Sequence, residues 1–323
     1  MKNATVIVSA RSFGQIIPEP MQRLQEQGCA IIECREGKDV PHERLKQAVQ
    51  TADAWIVSFY PITRELLESA RNLKVIVKHG VGLDNIDLEA ATARGILVVI
   101  APGATEHSVP ELTLGMLLCL ARRIHEAHQT VVAGQWNRFP GVGLYGKTLG
   151  ILGLGRIGVN IAKKIAGFGL RLLGYDPYIT PESLSFPDIR LVSLAELYAE
   201  SDFICVCAPL TRETEHILNQ QAFRQMRDGV IIVNTARGKI VDEDAMYAAL
   251  ESHKVGGYAT DVFETEPPIG SPLLTHPNVL CTPHIGSYTL DSLRLIGERA
   301  AQGVLDALQG KIPEFLVNKE VCL

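Results

Sequence analysis

No run of basic residues interrupts the sequence, and its formal net charge is −5 at pH 7. Phosphate backbones require a concentrated positive face, so nucleic acid is excluded as a main partner. No apolar stretch is long enough to span a bilayer. The longest helical one, "LTLGMLLCLA" (112–121), is about half of the roughly 20 residues a span needs, and no membrane partner is expected. The N-terminal "MKNATVIVSA" leads directly into a strand-like run without an apolar leader region, so no secretory targeting is expected. The seven cysteines (29, 34, 119, 205, 207, 281 and 322) contain no C-x-x-C pair. Odd in number and mostly set in apolar runs, they suit a reducing cytoplasm better than a disulfide framework. Cys205 and Cys207 in "DFICVCAP" belong to a buried strand pattern, so no metal site is expected there or elsewhere. Short-period repeats and low-complexity tracts are missing as well.

What remains is an ordinary globular composition, 46% hydrophobic and 21% charged, over 323 residues. That length suits two domains of roughly 150 residues each. Short apolar, β-branched runs alternate with amphipathic helical segments. The strand candidates are "TVIVSA" (5–10), "AIIEC" (30–34), "AWIVSF" (54–59), "KVIVK" (74–78), "ILVVIA" (96–101), "TLGILG" (148–153), "RLLGYD" (171–176), "FICVCA" (203–208), "VIIVNT" (230–235), "GGYATDVF" (256–263) and "NVLCT" (278–282). Runs apolar throughout, rather than alternating, indicate parallel strands covered on both faces. The class is therefore α/β, with two doubly wound parallel sheets of about five and six strands. One long helical stretch from Ser108 to about Val132 separates them, and "SVPE" (108–111) resembles a capping box with Ser108 as cap and Glu111 as its partner. The helical segment from Thr289 to Gly310 has no strand partner nearby and is expected to return to the first sheet. The domains are then 1–102 with 287–323, and 103–286. The apolar segment 108–136 must bury a face somewhere, which makes it a candidate homodimer contact. Trp136 reads as a packing anchor at a helix end.

"ILGLGRIG" (151–158) has Gly153, Gly155 and Gly158 in G-x-G-x-x-G spacing between an apolar strand and a helix pattern, and Asp176 follows 23 residues after Gly153 at the end of a second strand. Gly153 permits the tight turn, Gly155 lets a pyrophosphate approach the backbone, and Gly158 allows close helix–strand packing. The amides near Arg156 and Ile157 open the helix and face the phosphates. The Asp176 carboxylate can accept from the adenosine ribose hydroxyls, and its charge would repel a 2′-phosphate, so NAD is expected rather than NADP.

Together with this loop, "NTARG" (234–238), "DVFETEP" (261–267) and "TPHIG" (282–286) resemble the D-isomer-specific 2-hydroxyacid dehydrogenase family. "KHGVGLDNIDLEAATARGI" (78–96) is similar to its D-3-phosphoglycerate dehydrogenase branch. The resemblance covers nearly the whole chain. It implies a Rossmann NAD-binding domain (103–286) and a flavodoxin-like substrate domain (1–102 with 287–323). It also implies a catalytic set of Arg237, Glu266 and His284, and a grip on the substrate carboxylate by the amides of Val81 and Gly82 with Arg237. The cofactor would be lined by Pro209, Thr214, Thr235, Ala236, His284 and Gly286, with Asp261 holding the nicotinamide carboxamide.

The residue types fit that chemistry. Arg237 offers a planar fork of donors for a carboxylate and a neighbouring carbonyl. His284 can supply the proton that the oxygen needs after hydride reaches C2, and Glu266 against the ring would orient it. The implied function is NAD-dependent interconversion of a D-2-hydroxy acid and its 2-oxo acid, with 3-phosphoglycerate, hydroxypyruvate or glyoxylate as candidate substrates. An NAD-sensing binding protein of corepressor type is the alternative reading.

Some features depart from the phosphoglycerate branch. The loop "SFYPIT" (58–63) has no cation until Arg64, Thr105-Glu106 stand where the family often has Asn-Thr, and the ending "FLVNKEVCL" leaves no additional C-terminal domain expected. His42, His125, His128, His216, His253 and His276 are expected on solvated helix or loop surface.

Overall fold

The computed structural model describes residues 4–35 and 42–322. The chain divides into two compact units, Met1–Thr105 with Ser287–Leu323, and Glu106–Gly286.

The first unit is built on β1 (Thr5–Val8), β2 (Ala30–Glu33), β3 (Ala54–Val57), β4 (Val75–Lys78) and β5 (Leu97–Val99). They form one parallel five-stranded sheet in the order β2-β1-β3-β4-β5, the order of flavodoxin-like folds. The inner strands β3 and β4 are buried at every residue, which is why they read as unbroken apolar runs. One face is covered by helices His42–Val49, Arg64–Ser69 and Leu88–Ala93. On the other face, Val6, Val8, Ile56, Val77 and Val99 pack against Ala300, Ala301, Val304 and Leu305 of helix Leu290–Leu308. Gly303 permits that approach, since a Cβ there would lie 3.1 Å from Val99 Cγ1.

The second unit contains β6 (Thr148–Leu152), β7 (Arg171–Tyr175), β8 (Ile189–Leu191), β9 (Phe203–Val206), β10 (Val230–Asn234), β11 (Val255–Thr260) and β12 (Val279–Cys281). All pair in parallel in the order β12-β11-β10-β9-β6-β7-β8. Counted within the unit, this is the 3-2-1-4-5-6 dinucleotide-binding order with one further strand at the edge. The strand order reverses between β6 and β9, and ligands bind outside the carboxyl ends of strands at such a point.

Four expectations need correction. The second sheet has seven strands rather than about six. The extra one, β8, is a three-residue edge strand, "IRL", too short to stand out as an apolar run. Ser108 is not a helix cap. The helix spans Thr105–Ala121, so Ser108 lies within it, and its buried hydroxyl has no hydrogen-bond partner among the described residues. Pro110 lacks the N–H that would reach the Glu106 carbonyl, and Asn160 Nδ2 donates to that carbonyl instead, at 3.0 Å. The long helical stretch is two helices, Thr105–Ala121 and Ile124–Val132, broken where Arg123 takes φ 52°. Trp136 is 78% exposed rather than packed.

His79 follows β4 in the core of the first unit, 8% exposed, with its ring edge-on to Phe13 at 5.7 Å. Burial, helped by the neighbouring Lys78 charge, pushes its pKa down to about 4. The folded state thus keeps a neutral ring where the unfolded chain takes up a proton, and stability is lost as pH falls from 6.5 toward 4. Urea titrations should show the wild type losing roughly 3 kcal/mol more than His79→Leu across that window. Parallel pH dependences would mean that the folded imidazole takes up its proton as readily as it does in the unfolded chain.

Candidate functional site

The glycine loop turns out of β6. Gly153 has φ 97°, and a Cβ there would lie 2.6 Å from the Ala208 amide nitrogen beside the end of β9. A Cβ on Gly158 would lie 2.1 Å from the Gly153 carbonyl oxygen, so only glycine brings the helix this close to its own strand. Gly155 caps helix Arg156–Ile165 and differs from both: a Cβ there meets nothing within 4 Å. The loop therefore presents open backbone at the N-terminus of a ten-residue helix, a cradle that fits the pyrophosphate of a dinucleotide. The Arg156 side chain turns aside, donating to Glu106 Oε1 at 2.9 Å.

Asp176 stands just beyond β7. Its Oδ2 accepts from the Leu154 amide of the glycine loop at 2.9 Å, and its Oδ1 accepts from the Tyr178 amide at 3.0 Å. The carboxylate thus links the loop to the end of the next strand and keeps lone pairs for a ribose. After β9, the Thr214 hydroxyl folds the segment from Pro209 back on itself, donating to the Pro209 carbonyl at 2.6 Å and accepting from the Thr211 amide at 2.7 Å.

Three further turns follow neighbouring strands. After β10, buried Asn234 clamps "NTARG": its Oδ1 accepts from the Ala236 amide at 3.0 Å, and its Nδ2 donates to the Arg237 carbonyl at 2.9 Å. Thr235 is held by Thr113, hydroxyl to hydroxyl at 2.8 Å. Arg237 is partly buried, with Nη1 donating to the Ala236 carbonyl at 2.7 Å. After β11 comes Asp261, 1% exposed. Its Oδ1 accepts from the Thr282 hydroxyl (2.6 Å) and the Ile285 amide (2.7 Å), and its Oδ2 accepts from the Gly286 amide (2.8 Å). Burial pushes this carboxyl above its ordinary value against the opposing pull of those bonds. The 282–286 turn after β12 is therefore wrapped around one carboxylate. Within it His284 takes φ 54°.

His284 Nδ1 lies 2.9 Å from Glu266 Oε2, and Glu266 Oε1 accepts from the Phe263 amide at 3.1 Å. The imidazole and the carboxylate are about three-quarters and two-thirds buried, with side-chain exposures of 24% and 33%. Val81 and Gly82 belong to the other unit, following β4; Val81 is 37% exposed. Sequence reading passed over Asn234, Thr282 and Glu264, although "N" and "T" inside the quoted motifs were their signal. The His216 side chain is 42% exposed, as expected of a loop histidine, with its Nε2 buried 3.0 Å from Glu264 Oε1. His276, also expected on solvated surface, is not there: its side chain is 6% exposed and faces Glu251 at 3.4 Å. The side chain of His42 lies outside the described residues.

A dinucleotide cradle at the switch point of one doubly wound sheet, with an imidazole–carboxylate pair on the turns after β11 and β12 of the same sheet, defines a nucleotide-dependent class of protein. Residues 114–286 match the model of the D-isomer specific 2-hydroxyacid dehydrogenase NAD binding domain. The chain belongs to this family, and its cofactor is NAD. It is 45% identical over 280 residues to a D-3-phosphoglycerate dehydrogenase of Methanocaldococcus jannaschii, covering 85% of this chain and 53% of that protein. It is 38% identical over 318 residues to a glyoxylate reductase of Thermofilum pendens, covering 95% and 94%. The chain thus spans about half the length of the phosphoglycerate dehydrogenases it matches, and nearly all of the glyoxylate reductase. Among solved structures it is similar to D-lactate dehydrogenase from Aquifex aeolicus complexed with NAD and lactic acid, with 31% identity, TM-score 0.86 and coverage of 97% and 99%. It is also similar to the TT0316 protein of Thermus thermophilus, with 36% identity, TM-score 0.89 and the same coverage.

Asp176 is held by the Leu154 amide of the loop, and its charge would repel a 2′-phosphate brought against it. Fluorescence titration should give NADH a dissociation constant lower than that of NADPH by about tenfold or more, roughly 1.4 kcal/mol. Equal affinities would mean that Asp176 does not face the ribose.

Proposed function

We propose that this chain is an NAD-dependent oxidoreductase that interconverts a small D-2-hydroxy acid and its 2-oxo acid. The observation that carries this reading is the His284–Glu266 pair at 2.9 Å beside a dinucleotide cradle. NAD supplies the hydride acceptor or donor. With Nδ1 facing the Glu266 carboxylate, Nε2 would exchange a proton with the substrate oxygen. Glu266, tied at its other oxygen to the Phe263 amide, keeps the ring from turning. Arg237, in the turn clamped by Asn234, would hold the carboxylate and polarise the C2 carbonyl. The amides of Val81 and Gly82, after β4, would bind a carboxylate, and the first unit would be the substrate domain.

We further propose an unphosphorylated substrate of the glyoxylate or hydroxypyruvate type. The segment 58–63 carries no cation of its own. The Lys78 ammonium does reach this segment, but it is buried and donates to the Ser58 carbonyl and, at 2.6 Å, to Asn85 Oδ1. The same protein would be a cytoplasmic homodimer. Helix Ile124–Val132 buries none of its residues, and Ile124, Val131, Val132 and Trp136 are all more than half exposed, a surface that a second copy would cover.

Several outcomes are expected. In a panel of 2-oxo acids with NADH, glyoxylate or hydroxypyruvate should exceed phosphohydroxypyruvate in kcat/KM; a preference for the phosphorylated acid would reverse the substrate assignment. His284→Ala should lose about a hundredfold or more in kcat while NADH still binds. Arg237→Ala should raise KM for the oxo acid as well as lower kcat. A fully active His284→Ala would remove the mechanism.

A further inference from the structure

Glu266 is the second acidic residue of "ETEP", and the first is not idle. Glu264 Oε1 accepts from the backbone amide of Glu243 at 3.1 Å, while the Glu264 amide donates to Glu243 Oε1 at 2.8 Å. This reciprocal clasp ties the turn after β11 to the first residue of helix Glu243–Glu251. His216 Nε2 lies 3.0 Å from the same Glu264 oxygen, at ion-pair distance but poorly aligned for a hydrogen bond. The His216 backbone is itself pinned, donating to the Lys239 carbonyl at 2.8 Å. Gly238, directly after Arg237, lies under the same turn: a Cβ there would fall 1.9 Å from the Phe263 carbonyl carbon. The four residues 263–266 are thus held on one side by Gly238, at one point by the clasp, and at the other by Glu266 reaching back to the Phe263 amide.

We infer that Glu264 is a positioning residue, which through its clasp with Glu243 and its contact with His216 fixes the 263–266 turn so that Glu266 meets His284. The physical reason lies in the length of the turn. Glu266 is only two residues beyond Glu264, so freedom at Glu264 passes almost undiminished to the carboxylate that orients the ring. A site of this kind loses rate when its supporting shell loosens by about an ångström. Burial and the neighbouring Glu264 charge push the Glu243 carboxyl above its usual range, as expected for two acids sharing two backbone amides.

The inference rests on the oxidoreductase reading for its kinetic arm alone. Glyoxylate reduction should be compared in wild type, Glu264→Ala, Glu264→Gln, Glu266→Ala and the double variant. Glu264→Ala should lower kcat about tenfold or more with little change in NADH affinity, and Glu264→Gln, whose amide oxygen can still accept from Glu243, should recover most of it. In the Glu266→Ala background, Glu264→Ala should cost nothing further, because its effect runs through Glu266. The second arm does not depend on turnover. In ¹⁵N-histidine NMR spectra, with His284 assigned by loss of its signal in His284→Asn, Glu264→Ala should move the His284 Nδ1 resonance toward its place in Glu266→Ala. If the wild type turns over no 2-oxo acid, the oxidoreductase reading fails while this arm still decides the positioning role. If Glu264→Ala does not fold, Glu243→Ala removes the other half of the clasp and faces the same measurements. A wild-type kcat with an unmoved His284 resonance would overturn the inference, as would a full additional loss in the double variant.

Discussion

One buried carboxylate organises the business end of the second unit. Asp261 collects the Thr282 hydroxyl and the amides of Ile285 and Gly286, and its own carbonyl accepts from the His284 amide at 2.9 Å. A left-handed backbone at a histidine is unfavourable, of the order of 1–3 kcal/mol, and persists only where its surroundings over-determine it. Here the residues on both sides of His284 are tied to the same acid. The ring is therefore aimed by the backbone before Glu266 touches it, and Glu266 has only the remaining rotation about the side chain to fix. Gly286 must be small for the same reason, since a Cβ would press to 3.2 Å on both Asp261 Oδ2 and Val109 Cγ2.

The cofactor side is built on a similar plan. Asp176 binds the glycine loop through the Leu154 amide, as Asp261 binds the histidine turn. Parallel strands end with amides and carbonyls that no neighbouring strand satisfies, and each turn beyond them needs a local partner. Asp176, Thr214, Asn234 and Asp261 meet that need after β7, β9, β10 and β11. Groups that satisfy the backbone and groups proposed to meet ligands are then the same residues or immediate neighbours, which puts a rigid site on loops that would otherwise be the softest part of the unit.

The parallel strands of both sheets were legible because each inner strand is buried on two faces and reads as an unbroken apolar run, as in "VIIVN" and "FICV". Strand β8 was not, because three residues at a sheet edge carry too little burial to form a pattern. The capping-box reading of "SVPE" failed for a reason no local pattern contains. A proline five residues into a helix is tolerated here because Asn160, fifty residues away in sequence, takes the carbonyl left open. Glycine roles at 153 and 158 follow from spacing, and the contacts of 2.6 and 2.1 Å agree with it. The Lys78 ammonium beneath the Ser58 segment was missed because its cation comes from the next strand rather than from the loop itself. His276 was misread for a related reason: what covers it includes the Tyr247 ring of another helix, which nothing in "LTHPN" foretells.

The first unit closes its sheet with a helix encoded at the far end of the chain. On the ribosome, residues 106–286 are synthesised as one continuous block and have every strand of their own sheet before helix Leu290–Leu308 has been made. Until then Val6, Val8, Ile56, Val77 and Val99 lack Ala300, Ala301 and Val304 above them. The earlier-made unit is therefore the later to finish, and the nascent protein carries a bare apolar sheet face throughout the translation of its second unit. That interval is when a chaperone would have most to hold, and when a slow codon or a truncated message would do the most harm.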